Sequence, residues 1–173
     1  MGTSNQISGD TYQSIIDFLH HEAELLDDGK FRQWVEQMVA KDITYRIPVR
    51  ITRKRNEGLG FSTEAWHMNE TWTSLEVRTA RLETDFAYAE DPPSRTRHMV
   101  TNVRASPANN ENEVHVKSNL LVSRSRLDTT DFQFIIGEKH DQLRKEGENW
   151  KLFQRVVYLD QTTLGSHDLA IFL

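Results

Sequence analysis

The chain has 173 residues, 27% charged and 37% hydrophobic, with a net charge of −5 and no cysteine. Without thiolates it cannot by itself hold an iron–sulfur cluster, a disulfide or a cysteine-based zinc site, nor offer a thiol nucleophile. The acidic balance argues against nucleic acid, and no apolar run approaches the roughly 18 residues of a membrane span, so a cytoplasmic protein without membrane attachment is expected.

Tyr12, Ile15, Ile16, Leu19, Ala23 and Leu26 recur at the spacing of one helix face and predict an amphipathic helix. Asp10 is read as its N-cap with Gln13 completing a capping box, and Gly29 as its stop. A second helix carries Phe31, Trp34, Val35 and Met38 as its buried stripe, and the two are expected to pack as a hairpin. The period then changes to two. Ile43, Tyr45 and Ile47 alternate with polar residues up to Pro48, predicting a strand that reaches a sheet edge near the proline. Arg50, Arg53, Lys54 and Arg55 form a short basic run without interleaved aromatics, and residues 53–60 read as a solvated loop. Residues 69–79 are expected to form a third helix, with Trp72 and Leu75 inward.

From Leu82 onward strands dominate: Leu82, Thr84, Phe86 and Tyr88 alternate before the turn Asp91-Pro92-Pro93-Ser94. Residues 95–104 alternate again, and 107–112 have turn composition. Val114, Val116, Leu120 and Val122 share one face of a strand ending near Leu127, and Phe132, Phe134 and Ile136 begin another. Residues 150–159 make the last strand, leaving an apolar tail that ends Ile171-Phe172-Leu173 and needs cover from its own core or a neighbour. Helices first, then long antiparallel strands joined by short turns, define a single α+β domain over 1–173. With that order of elements, a strongly curved antiparallel sheet wrapped around N-terminal helices gives a cone, cystatin-like or nuclear-transport-factor-like.

The run Glu90-Asp91-Pro92-Pro93-Ser94-Arg95-Thr96-Arg97-His98-Met99-Val100-Thr101-Asn102-Val103 resembles the central signature of the small (β) subunits of bacterial aromatic-ring-hydroxylating (Rieske non-haem iron) dioxygenases. Around it, residues 22–27 are similar to the family's first helix, 45–48 to its first strand and Ser118-Asn119 to the strand after the signature. Gly137, Asp141 to Arg144, Trp150-Lys151, Arg155 and Leu159-Asp160 follow in the family's order, so the likeness runs from about residue 12 onward. The signature most resembles the biphenyl and polycyclic-aromatic-hydrocarbon branch. The resemblance implies an α3β3 hexamer in which the large (α) subunit carries a Rieske [2Fe-2S] cluster and a mononuclear Fe(II). Electrons would come from NADH through a reductase and a ferredoxin. It further implies that this chain binds no cofactor or metal and contributes no catalytic residue.

A non-haem iron site needs two histidines and a carboxylate. His20 and His21 point about 100° apart on a helix, and the other histidines are scattered, so no metal site is expected. Arg95 and Arg97 project to one face of a strand and His98 to the other. Paired guanidiniums require anionic partners, which could lie across a subunit interface or on a neighbouring strand of the same chain. Arg95, Arg97 and His98 are therefore interface candidates, as are Trp66 and Trp72, which suit a core equally well. A different function class uses Asp42, Tyr45 and His98 as acid–base groups inside the cone of a stand-alone isomerase or dehydratase.

Overall fold

Ser8 takes an extended conformation and its hydroxyl accepts the Thr11 N–H, which starts helix α1 (Gly9–Asp27) two residues before the expected cap at Asp10. Asp10 instead lies in the first turn, where its charge faces the positive end of the helix. The computed structural model describes residues 7–54, 56, 58, 60–83, 93–126, 130–162 and 171–173. Gly29 stops α1 as expected: its φ of 69° lets its own N–H and that of Lys30 turn back to the Leu26 and Leu25 carbonyls. The buried face of α1 is Ile15, Phe18, Leu19, Glu22, Leu25 and Leu26, whereas Tyr12 is exposed. Helix α2 (Phe31–Met38) buries Trp34, Val35 and Met38 and passes directly into β1 (Val39–Arg50). The helices touch, but α1 lies chiefly along strand β3 rather than along α2.

Two expectations in the middle of the chain need correction. Residues 61–70 form a strand, β2 (Phe61–Glu70), so Asn69 and Glu70 are extended and helix α3 begins at Trp72. Leu82 closes α3 (Trp72–Leu82) instead of opening a strand. The rest of that expected strand and the first half of its turn lie outside the described residues. The other strands are β3 (Arg95–Pro107), β4 (Glu113–Ser125), β5 (Gln133–Glu146) and β6 (Asn149–Leu159).

Among the described residues one six-stranded sheet results, in the order β2-β1-β6-β5-β4-β3. It is antiparallel except for β1 and β6, which run parallel with Tyr45 opposite Arg155, so the sheet is mixed rather than purely antiparallel. Strand β1 therefore has neighbours on both sides, and Pro48 is accommodated at a register shift against Trp66 instead of an edge. Among the described residues strand β3 is an edge, and α1 covers it. The Asp27 carboxylate accepts the His98 backbone N–H at 3.0 and 3.1 Å, and the Tyr12 hydroxyl donates to the Val103 carbonyl at 2.9 Å. Between those contacts Asn102 (φ 53°) forms a bulge that shifts the register against β4. Val114, Val116, Leu120 and Val122 share the face that points into the core; Phe134 and Ile136 lie at the start of β5 as expected, and with Phe132 they are exposed.

Candidate functional site

The deepest part of the cone is charged. Glu22 of α1, Lys139 and Asp141 of β5 and Arg155 of β6 are each at most 2% exposed, and together they cancel in charge. They sit at inward positions of their elements: Glu22 shares a face with Leu19 and Leu26, and Lys139 and Asp141 fall between Ile135 and Leu143. Arg155 is the hub. Its Nε and Nη2 grip Asp141 at 2.7 and 2.8 Å, and its Nη1 and Nη2 grip Glu22 at 2.9 and 2.7 Å. Glu22 also accepts from Trp34 Nε1 at 3.0 Å and Lys139 Nζ at 3.2 Å. Burial alone would raise the Glu22 carboxyl, but the Arg155 and Lys139 charges and the hydrogen bonds of Arg155 and Trp34 hold it far below the carboxylate range. Burial alone would lower the Arg155 guanidinium, but the Asp141 and Glu22 charges and hydrogen bonds hold it well above its ordinary value.

Residues 171–173 fill the space above this cluster and are themselves buried, so the apolar tail docks on its own core. The Phe172 ring lies 4.8 Å from that of Trp34 and 5.6 Å from that of Phe31. The Leu173 main-chain oxygen accepts from the Tyr45 hydroxyl and from Arg155 Nη1, both at 2.8 Å, while its N–H donates to the same Tyr45 oxygen at 2.8 Å. His98 Nε2 donates to the Phe172 carbonyl at 3.0 Å, and its Nδ1 meets Asp27 at 2.6 Å. Segment 171–173 thus ties β1 and β6 to the edge strand β3 through the interior.

The expected acid–base trio does not converge. Tyr45 and His98 both point inward, and their polar atoms are engaged by Leu173 and Phe172. Asp42 is on the surface, held bidentately by Arg144 at 2.8 and 2.9 Å, and those hydrogen bonds keep its carboxyl below the usual range. Burial pushes the Tyr45 phenol up to about 12. Among the described residues no three histidine, aspartate or glutamate side chains come together to hold a metal ion, and the chain has no cysteine, so these donors do not fit an iron centre or a cluster.

The interface candidates occupy opposite ends of the sheet. Arg95 and Arg97 project outward from edge strand β3, and Arg97, 71% exposed, lies 3.5 Å from Asp27 of its own α1. Trp66 on edge strand β2 and Trp72 on α3 are half-buried, with Arg46 stacked over the first ring and Lys41 over the second. A surface that sequence reasoning missed lies beside the arginines. Phe132, Phe134, Ile136 and Met99 are all more than 40% exposed, and the two phenylalanine rings stack at 6.4 Å. Register places Arg97, Ser123 and Phe134 in one row across the outer face and Met99, Leu121 and Ile136 in the next. The signal was present: Phe134 and Ile136 are out of phase with Ile135 and Leu143, which fill the core.

Comparison with known proteins gives this architecture relatives. The sequence profile of the family described as "Ring hydroxylating beta subunit" matches residues 21–166. A naphthalene 1,2-dioxygenase structure with indole in its active site is similar over 98% of this chain and 89% of that chain, at 26% identity and a TM-score of 0.85. The β subunit of the benzoate 1,2-dioxygenase of Burkholderia mallei aligns over 92% of this chain and 93% of its own, at 23% identity and a TM-score of 0.65. A protein of the cystatin-like fold from Nostoc punctiforme aligns over 91% and 96%, at 16% identity and a TM-score of 0.58, which bears on the fold alone.

Proposed function

Since the chain belongs to the family of ring-hydroxylating β subunits, we propose that it is the non-catalytic small subunit of an aromatic-ring-hydroxylating dioxygenase, of the biphenyl and polycyclic-hydrocarbon branch. Its partner is the large (α) subunit, which carries the Rieske [2Fe-2S] cluster and the mononuclear Fe(II). The two associate as an α3β3 hexamer in the cytoplasm. That assembly performs NADH- and O2-dependent cis-dihydroxylation of aromatic hydrocarbons, with electrons delivered by a reductase and a ferredoxin.

The observation that carries the reading is the apolar outer face around Phe132, Phe134, Ile136 and Met99. Clustered exposed apolar side chains rimmed by polar residues mark an association surface, and Arg95 and Arg97 border this one. Trp66 and Trp72 sit at the other end of the sheet, as a second contact region that a subunit with more than one neighbour requires. Size measurement by light scattering on the chain co-expressed with its large subunit tests this. A monodisperse hexamer is expected, and Ile136→Glu with Phe134→Glu should abolish it while leaving a folded chain. A chain that stays monomeric and never co-purifies with an iron protein refutes the assignment.

A further inference from the structure

Beyond the subunit role, we propose that Tyr45 and Arg155 form a two-donor carbonyl site inside the cone, built to take an aryl-substituted amide or carboxylic acid and filled here by segment 171–173. Two donors converge on the single Leu173 oxygen, each at 2.8 Å, in a region where Tyr45, Arg155 and Leu173 are all 0% exposed. Convergent donors in a dry, preorganised setting are how proteins stabilise negative charge on a carbonyl oxygen.

The fold, not the segment, builds this site. Four of the five N–H bonds of Arg155 go to Asp141 and Glu22, which fix the guanidinium plane and leave one donor aimed at the Leu173 oxygen. Burial keeps the Tyr45 phenol protonated, hence a donor, throughout the physiological range. Beside the two donors, Trp34 and Phe31 hold the Phe172 ring in an aromatic slot. A ring a few bonds from a carbonyl is therefore the ligand shape. Withdrawing the segment would orphan the fifth Arg155 donor and the Tyr45 hydroxyl, and a ligand carbonyl restores both.

The test uses the full chain carrying Phe172→Gly with Leu173→Gly, which removes both side-chain anchors of the segment. Thermal unfolding and tryptophan fluorescence are followed during titration with 3-phenylpropanamide, 3-phenylpropionate and ethylbenzene. At least one carbonyl compound should bind roughly tenfold or more tightly than the hydrocarbon, the worth of a buried hydrogen-bonded acceptor. Adding Tyr45→Phe should erase that preference, and the parent chain, whose site is filled, should respond to none of the three. Should the double glycine variant fail to fold, Phe172→Ala serves in the same comparison. Equal binding of ethylbenzene, or no binding of either carbonyl compound, overturns the proposal; the size of the assembly with the large subunit does not enter the result.

Discussion

Replacing Glu22 by Gln keeps the side-chain volume and removes one charge from the centre of the cone. The parent cluster balances Glu22 and Asp141 against Lys139 and Arg155, all at most 2% exposed. In the variant these four side chains sum to one net positive charge, and the new amide nitrogen meets donors where an acceptor stood. Breaking a buried ion pair from one side costs about 3–5 kcal/mol, a large share of the ~5–15 kcal/mol that holds a domain together. For a chain of this size each kcal/mol moves Tm by roughly 2–4 °C, so Tm should fall by about 6–20 °C. Thermal unfolding followed by circular dichroism measures that shift, and urea denaturation at pH 7 followed by tryptophan fluorescence measures the free-energy loss.

Acid titration of the same two proteins adds a second reading. In the folded chain the Glu22 carboxyl is held well below its ordinary 4.5, so its contribution is complete above that pH and is lost as the pH falls. Asp27 is also depressed, because the His98 hydrogen bonds outweigh the effect of burial, and its contribution fades below its ordinary 3.8. The parent should therefore lose stability more steeply than Glu22→Gln between about pH 5 and pH 3. A variant within ~1 kcal/mol of the parent at pH 7, a typical surface effect, or one with the same acid slope, would refute the claim that this network is a buried, balanced ion cluster.

Two further substitutions separate folding from assembly. Gly137→Ala places a Cβ 2.5 Å from the Tyr158 backbone oxygen and 3.1 Å from the Leu159 Cα, so β5 and β6 must separate, and a loss of about 1–3 kcal/mol is expected by denaturation. Arg97→Glu, at a side chain 71% exposed and 3.5 Å from Asp27, should cost the isolated chain no more than about 1 kcal/mol yet lower the yield of assembly with the large subunit. Normal yield together with a changed product profile would contradict the scaffold role.

Where side chains alternated or recurred cleanly, the fold was legible. The inward row Val114 to Val122 and the α2 stripe of Trp34, Val35 and Met38 lie where their period put them. Strand β2 was not legible, because an edge strand with Met68 as its one buried residue carries no alternation to read. Parallel pairing of β1 with β6 left no local trace, since strand direction depends on partners more than a hundred residues apart in sequence. Within the site, Glu22, Asp141 and Arg155 entered the sequence reading only through the family resemblance, and Lys139 not at all. Their visible signal was charge at apolar-phase positions, two acids and two bases, which only mutual neutralisation makes tolerable.

Tyr45 reaches its partner Leu173 across 128 residues, and β1 finds its parallel neighbour only when β6 has been made. During synthesis, then, β1 can pair with β2 early, but its other edge must wait while more than a hundred further residues are added. Contacts of such long sequence separation fold slowly, because loop closure has to precede their reward. The nascent chain spends that interval with a strand edge unpaired, the kind of surface through which partly made chains aggregate.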